Sequence, residues 1–150
     1  MAEVTRCDQY AVGVGAIDDE HKELFDAVHA FELAMTRNTE AAEIRALLHH
    51  LTAATVKHFT HEEAMMREAK FPGLTLHSMN HRRLMEKLDA FTVRFSRDGA
   101  AINRHALSFL RDWLVHHVEN DDRNFGAWLK DRERELARAQ QQEQAVVRGA

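Results

Sequence analysis

Segment 40–70 carries its apolar residues at alternating spacings of three and four, which place side chains on one face of an α-helix. This face is apolar in its first half and polar in its second half, although its direction along the helix does not change. An imidazole and a carboxylate therefore occupy positions that a buried helix face ordinarily fills with leucine. The face consists of Ile44, Leu48, Leu51, Thr55, His58, Glu62 and Met65.

Three further segments have the same helical period, and each of them also carries histidine on its apolar face. We place these helices at about residues 18–37, 75–96 and 101–129, with short breaks between them. Long helices with short connections favour antiparallel neighbours. The sequence therefore predicts an all-α fold: an antiparallel up-down-up-down four-helix bundle with an extended N-terminal arm and a polar C-terminal helical extension.

The pattern divides the chain into one bundle domain and two flanking segments. Residues 1–17 are interpreted as an N-terminal arm, residues 18–129 as the four-helix bundle, and residues 130–150 as a polar C-terminal tail. The tail contains mixed charges without a continuous apolar face, which is typical of a solvated helix or a frayed end. We assign no chemistry to it.

The helix ends also have local signals. Asp18 or Asp19 is expected to cap the first helix, and Thr39 the second, because a side-chain oxygen there accepts a free backbone N–H of the first turn. The second helix is expected to end before Pro72 and Gly73, since the residue before proline disfavours helical backbone.

Composition and charge exclude several classes of partner. The 150 residues have a formal net charge of −4 from mixed acidic and basic residues, so the uniform basic face that nucleic acid requires is missing. No apolar run reaches the roughly 18 residues of a membrane-spanning helix, and the charged N-terminus does not resemble a signal peptide. We expect a cytoplasmic protein with no nucleic-acid partner and no membrane span. Because Cys7 is the only cysteine, a metal site would need histidine and carboxylate ligands.

Polar groups on the four inward faces are expected to meet near one end of the bundle, because the starts of two helices lie beside the later halves of the others. Each buried polar group without a partner costs roughly a few kcal/mol, and a buried carboxylate costs more. Five imidazoles and two carboxylates suit a borderline metal such as iron, and exceed what one ion can use. The sequence therefore predicts two metal ions rather than isolated core histidines. The remaining histidines are expected at the surface or rim: His29, His49, His50, His61, His105 and His116.

Helical geometry leaves the last carboxylate ambiguous. In a regular α-helix, residue i+4 lies nearly in line with residue i, whereas residue i+5 is displaced by about 140°. Periodicity therefore favours Asp121 as the partner of His117, and Asp122 requires a rotated or locally distorted helix. Adjacent His116 and His117 present a similar ambiguity.

Four motifs together resemble the bacterial hemerythrins over roughly residues 7–129: VGVGAIDDEHKELF, HFTHEE, the His77 and His81 pair, and WLVHHVENDD. The resemblance implies two non-haem iron ions with an oxo or hydroxo bridge. It selects Asp122 over Asp121 and His117 over His116. It assigns one iron to His77, His81 and His117, the other iron to His21 and His58, and the bridging role to Glu62 and Asp122.

The iron with fewer histidines would keep an open coordination position, so the resemblance implies reversible dioxygen binding by a carrier, store or delivery protein rather than an enzyme. A diiron peroxidase or oxidase, a nitric oxide or oxygen scavenger, and an oxygen- or iron-sensing signalling module are the alternatives. Dioxygen is the expected partner, with an electron donor or an oxygen-consuming enzyme. Glu20 departs from the family, in which glutamine is common at this position. The family's oxygen-pocket positions fall on Leu24, Phe59, Trp113 and Val118.

Overall fold

The computed structural model describes residues 10–37, 39–98 and 104–149, and the regular structure of this part of the chain is helical. The last two α-helices continue directly into one another through a π-helical turn, so that they form one rod. The elements are α1 (Gly15–Thr36), α2 (Ala41–Ala69), α3 (Leu74–Asp98), α4 (Arg104–His117), the π turn (Val118–Asp122) and α5 (Arg123–Gly149).

Contacts at both ends of the rods establish their antiparallel order. Near one end, Nε2 of His21 at the start of α1 lies 3.2 Å from Nε2 of His58 in the second half of α2. The same His21 lies 2.7 Å from Asp122 at the end of the π turn. Near the other end, the rings of Phe31 and Phe91, late in α1 and α3, pack edge to face at 5.8 Å. The predicted up-down-up-down four-helix bundle is confirmed.

An apolar core fills the bundle on either side of the polar cluster. Full burial of a leucine, isoleucine or phenylalanine side chain contributes about 1.5–3 kcal/mol relative to leaving it exposed. These side chains therefore hold the four rods together and fix the polar cluster between them. Members of this core with no more than 2% exposure include Ile17, Leu24, Phe31, Leu48, Met66, Phe95, Leu114, Val118 and Phe125.

The first helix begins three residues earlier than the sequence predicted, at Gly15, so residues 15–17 belong to the helix and not to the arm. Asp18 lies inside the first turn and does not cap it. Its carboxylate instead accepts hydrogen bonds from the backbone N–H groups of Val12 and Gly13, at 2.8 and 3.2 Å. Asp18 thereby ties the end of the arm to α1. Residues 1–9, which include Cys7 and most of the predicted extended arm, lie outside the described residues.

The predicted cap of the second helix is also wrong. Glu40 occupies the N-cap position without a side-chain cap hydrogen bond, while the Thr39 hydroxyl donates to the carbonyl of Arg37 at 3.0 Å. The other end agrees with the sequence, because α2 ends at Ala69 and Lys70 adopts a left-handed conformation with φ of 58°.

The C-terminal segment is helical throughout its described length, since α5 runs without a break to Gly149. Beyond the bundle this helix is polar, and its few apolar side chains are exposed: Leu136 by 54%, Val146 by 74% and Val147 by 72%. The predicted polar helical extension is confirmed. Among the described residues, no helix combines the length and the apolar character that crossing a bilayer requires.

Candidate metal centre

All seven side chains that the sequence analysis placed in the site meet in the bundle interior, and none is more than 4% exposed. Their donor atoms form two groups, in each of which the atoms lie within 4.8 Å of one another. Asp122 is common to both groups, so the two sets adjoin. The first group contains Glu62, His77, His81, His117 and Asp122, and the second contains His21, His58 and Asp122.

Spacings of four residues aim pairs of these side chains at the same point. His58 and Glu62 lie one turn apart on α2, with Nε2 and Oε2 separated by 3.6 Å. His77 and His81 lie one turn apart on α3, with their ring centroids 4.4 Å apart. Because neighbouring turns of a helix place i and i+4 on one face, the two helices present four donors to a single region.

The π turn explains how Asp122 reaches the site. In a π-helix the backbone hydrogen bond joins residues i and i+5, so Asp122 takes the position relative to His117 that residue i+4 holds in an α-helix. Oδ1 of Asp122 consequently lies 3.0 Å from Nε2 of His117. Regular helical periodicity favoured Asp121 as the carboxylate that faces the interior, and this prediction is wrong. Asp122 is 0% exposed, whereas Asp121 is 29% exposed.

Distances between donor atoms fit the spacing around a metal ion. The Nε2 atoms of His81 and His117 face each other at 3.0 Å, and those of His21 and His58 at 3.2 Å. With metal–donor bonds of about 2.1 Å, adjacent donors in an octahedron are about 3.0 Å apart. The observed arrangement thus matches edges of a coordination polyhedron.

Two carboxylate oxygens in the site lack hydrogen-bond partners, which supports the same conclusion. Oε1 of Glu62 and Oδ1 of Asp122 are both buried without one. Oδ1 of Asp122 lies 3.1 Å from Nε2 of His77, yet the pair is not aligned as a hydrogen bond. Buried polar atoms of folded proteins are nearly always paired, and a cation between the groups would satisfy both oxygens. The residues present therefore fit a metal centre.

Buried carboxylates hold several of the histidines in their charged form when metal is absent. Burial opposes protonation of His117, but the charge of Asp122 beside its ring and a hydrogen bond to Asp121 raise its pKa to about 10. Burial likewise opposes protonation of His77, but the nearby carboxylates of Asp122 and Glu62 raise its pKa to about 9. His81 differs, because burial and the nearby positive charges of His117 and His77 lower its pKa.

Metal loading at pH 7 is expected to release at least two protons per chain. The pKa values of His77 and His117, about 9 and about 10, lie above 7 in the metal-free chain, and a histidine must lose its proton to ligate metal. Apparent affinity should accordingly rise with pH up to about pH 10, above which both histidines are neutral. Anaerobic titration with Fe²⁺ in weakly buffered solution, followed by a pH electrode, measures the release. A His116→Ala chain should release the same number of protons, and loading without proton release would contradict the expectation.

The predicted oxygen-pocket residues separate into two sets. Leu24 and Trp113 line an apolar cavity between the helices, and the Trp113 ring stacks on His117 with centroids 5.8 Å apart. Phe59 and Val118 are buried but do not line this cavity. Phe59 instead stacks on the His81 ring at 3.7 Å. Sequence reasoning missed further residues lining the cavity, among them Leu51, Leu88 and Leu114, which no signal distinguishes from other core residues.

Three carboxylates outside the two donor groups each accept a hydrogen bond from a site histidine. Sequence reasoning missed Glu63, whose one signal is that it adjoins Glu62. Periodicity did indicate Asp121 as a partner of His117, and Glu20 stood out as a departure from the family that places a charge beside His21, but neither was predicted to accept a hydrogen bond from outside the site. Most of the other histidines lie where predicted. His49, His50, His61 and His116 are exposed and His29 is partly buried, while the side chain of His105 lies outside the described residues.

Comparison with known proteins agrees with this geometry. A family model described as "Hemerythrin HHE cation binding domain" matches residues 12–129. A bacteriohemerythrin of Methylococcus capsulatus is 31% identical over 122 residues, covering 81% of this chain and 92% of that protein. Myohemerythrin-1 of Phascolopsis gouldii is 30% identical and covers 77% and 85%. A crystal structure of wild-type hemerythrin superposes with a TM-score of 0.76 at 27% identity, covering 85% and 97%. This chain belongs to the hemerythrin family.

Proposed function

We propose that this chain holds two non-haem irons at the paired donor groups and uses them to bind dioxygen reversibly. One observation carries the proposal: the two groups of donor atoms lie side by side and share Asp122, which is fully buried. Five histidines and two carboxylates in this arrangement are the ligand set that the hemerythrin resemblance implies. The same ligands differ from the glutamate-rich sets of ferritin-like diiron proteins, which carry Glu-x-x-His motifs.

The two donor groups differ in their number of histidines. The first group would hold one iron through His77, His81 and His117, and the second would hold the other iron through His21 and His58. Glu62 and Asp122 would bridge them. The ion held by the second group would have one nitrogen donor fewer, so this group would leave a coordination position for a small ligand. A ferrous pair bound here supplies two electrons and this open position to dioxygen.

The protein side chains around the site exclude water and hold the histidine rings in place. Phe59 and Trp113 stack on the rings of His81 and His117, at 3.7 and 5.8 Å between centroids. The cavity beside Trp113 is lined almost entirely by apolar side chains, and apolar cavities of this kind stay dry and accept small apolar molecules. Dioxygen is such a molecule, so the cavity is suited to bind it next to the metal centre.

A carrier, store or delivery role follows from a ligand set that is rich in neutral imidazole. A ligand set with only two anionic groups stabilises high-valent iron poorly. This favours binding of dioxygen over oxidation of a substrate. The ferrous state must be regenerated after autoxidation, so an electron donor and the reducing surroundings of the cytoplasm belong to the proposal. An oxygen-consuming enzyme would be the recipient of the delivered dioxygen.

Repeated cycles of air and argon test the function. The reduced, iron-loaded chain is expected to develop a visible charge-transfer band in air and to lose it under argon over several cycles, with no net consumption of reductant. Absorption spectra and oxygen-electrode readings record both quantities.

Zinc-loaded chain is the matched control, because zinc has no redox chemistry. It should show no band. A band that decays within seconds while added reductant is consumed would overturn reversible binding in favour of a peroxidase, oxidase or scavenger.

A further inference from the structure

Three carboxylates surround the metal centre, and each accepts a hydrogen bond from Nδ1 of a different site histidine. The three bonds are alike in length, and their acceptors come from α1, α2 and the π turn. All three carboxylates are less exposed than ordinary surface acidic residues, at 12%, 25% and 29%. The pairs are Glu20 with His58 at 2.8 Å, Glu63 with His81 at 2.8 Å, and Asp121 with His117 at 2.9 Å.

These bonds determine which ring nitrogen is free to bind metal. A neutral imidazole carries its proton on one nitrogen and a lone pair on the other. When Nδ1–H donates to a carboxylate, the lone pair lies on Nε2, and Nε2 is the atom that each of these three histidines presents to the interior. The carboxylate thus fixes both the tautomer and the orientation of the ring.

Two of these carboxylates are themselves held in place. Glu20 also contacts Nδ1 of His61, which is 45% exposed, so one side chain of α1 bridges two histidines of α2. Asp121 also accepts a hydrogen bond from the side-chain amide of Asn80 on α3 at 3.4 Å. A carboxylate anchored in this way cannot turn away without breaking a second contact.

His21 provides a contrast inside the same site. Its Nδ1 is buried and has no hydrogen-bond partner among the described residues. Outer carboxylates therefore support two histidines of the first donor group, His81 and His117, but only His58 in the second group. Removal of Glu20 should affect the second group alone, whereas removal of Glu63 or Asp121 should affect the first.

We propose that Glu20, Glu63 and Asp121 are positioning residues of the metal centre, which orient three histidines for metal binding and lower the reduction potential of the bound iron. The proposal rests on the diiron site proposed above. Its physical basis is that negative charge beside an imidazole ligand makes the nitrogen a stronger donor and favours ferric over ferrous iron. The chain thereby adjusts how readily its ferrous form is oxidised without changing a ligand.

Two series of variants separate charge from orientation. Glu20→Gln, Glu63→Gln and Asp121→Asn keep an oxygen that can accept the Nδ1–H bond but remove the charge, so each should bind two irons at a raised reduction potential. The corresponding alanine variants remove the acceptor as well, and should lose about 10- to 100-fold in metal affinity. Glu119→Gln is the matched control, because it removes the same charge from an exposed position on the same π turn and should change neither quantity.

Spectroelectrochemical titration measures the potential, and Co²⁺ titration followed by visible absorption measures affinity at each group without redox chemistry. Melting of each metal-free variant shows that it is folded. If the alanine variants bind Co²⁺ with unaltered affinity and the amide variants keep the unaltered potential, the positioning role is wrong. That outcome leaves dioxygen binding intact, whereas a parent chain that binds Co²⁺ but fails the air and argon cycles refutes the function and not the positioning role.

Discussion

Replacement of Asp122 with asparagine is expected to reduce the iron content from two ions per chain to less than one. Asp122 is the residue common to both donor groups. Its Oδ2 lies 2.7 Å from Nε2 of His21 and its Oδ1 lies 3.0 Å from Nε2 of His117. The amide keeps the volume but places an NH₂ group where a donor atom is needed, and it removes a buried negative charge. On the proposed assignment, both irons would therefore lose a ligand at once.

Asp121→Asn is the matched control for this experiment, because the two aspartates are adjacent and the chemical change is the same. Asp121 contacts Nδ1 of His117 from outside the site, so this variant should still hold two irons. Iron is counted colorimetrically after anaerobic reconstitution and desalting, and circular dichroism confirms that both variants remain helical. Two tightly held irons in the Asp122 variant would exclude Asp122 as the bridge.

Replacement of Glu62 with alanine should remove most of the iron and also destabilise the metal-free chain. Oε2 of Glu62 lies 3.1 Å from Nε2 of His77 and 3.2 Å from Nε2 of His81. At pH 7 His77 is protonated, since its pKa is raised to about 9, and loss of Glu62 leaves Asp122 as the remaining carboxylate beside this buried charge. Because Asp122 still compensates part of the charge, the loss should cost about 1–3 kcal/mol, or roughly 2–12 °C in melting temperature for a chain of this size.

The pH dependence of this loss of stability gives a further check. A histidine whose pKa is raised by folding adds stability below its unfolded pKa, and this stability disappears as the pH rises through the folded value. The penalty of the Glu62 variant should therefore shrink above about pH 9, where His77 is neutral. Differential scanning calorimetry at pH 7 and pH 10 measures it, with His116→Ala as a control that should change neither iron content nor melting temperature. An iron-replete, equally stable Glu62 variant would contradict the bridging role.

Helical periodicity predicted the four rods and five of the seven interior polar positions, while the family resemblance was needed to choose His117 over His116 and Asp122 over Asp121. The inward face of α2 carries His58 and Glu62 in line with Leu48 and Leu51, and all four are buried in the bundle. Such a pattern is a property of a single helix, because residues at spacings of three and four share a face wherever the helix is placed. Local sequence is therefore sufficient to identify these positions.

Helix ends were less predictable than helix faces. Asp18 has the chemistry of a cap, yet its carboxylate binds the N–H groups of Val12 and Gly13 in the preceding arm. Which backbone N–H a short acidic side chain reaches depends on the path by which the chain enters the helix. Packing of the arm sets this path, and composition alone does not reveal it.

The sequence by itself determined that four amphipathic helices would bury histidines and carboxylates at one end of a bundle. The family resemblance chose Asp122, but only the tertiary structure gave the reason why this aspartate enters the site: a single π turn after His117 shifts the phase of the helix and exchanges Asp121 for Asp122. It also decided that Glu20, Glu63 and Asp121 meet histidine rings. Contacts between side chains on different rods depend on how the rods are rotated and spaced, which the periodicity of one helix does not specify.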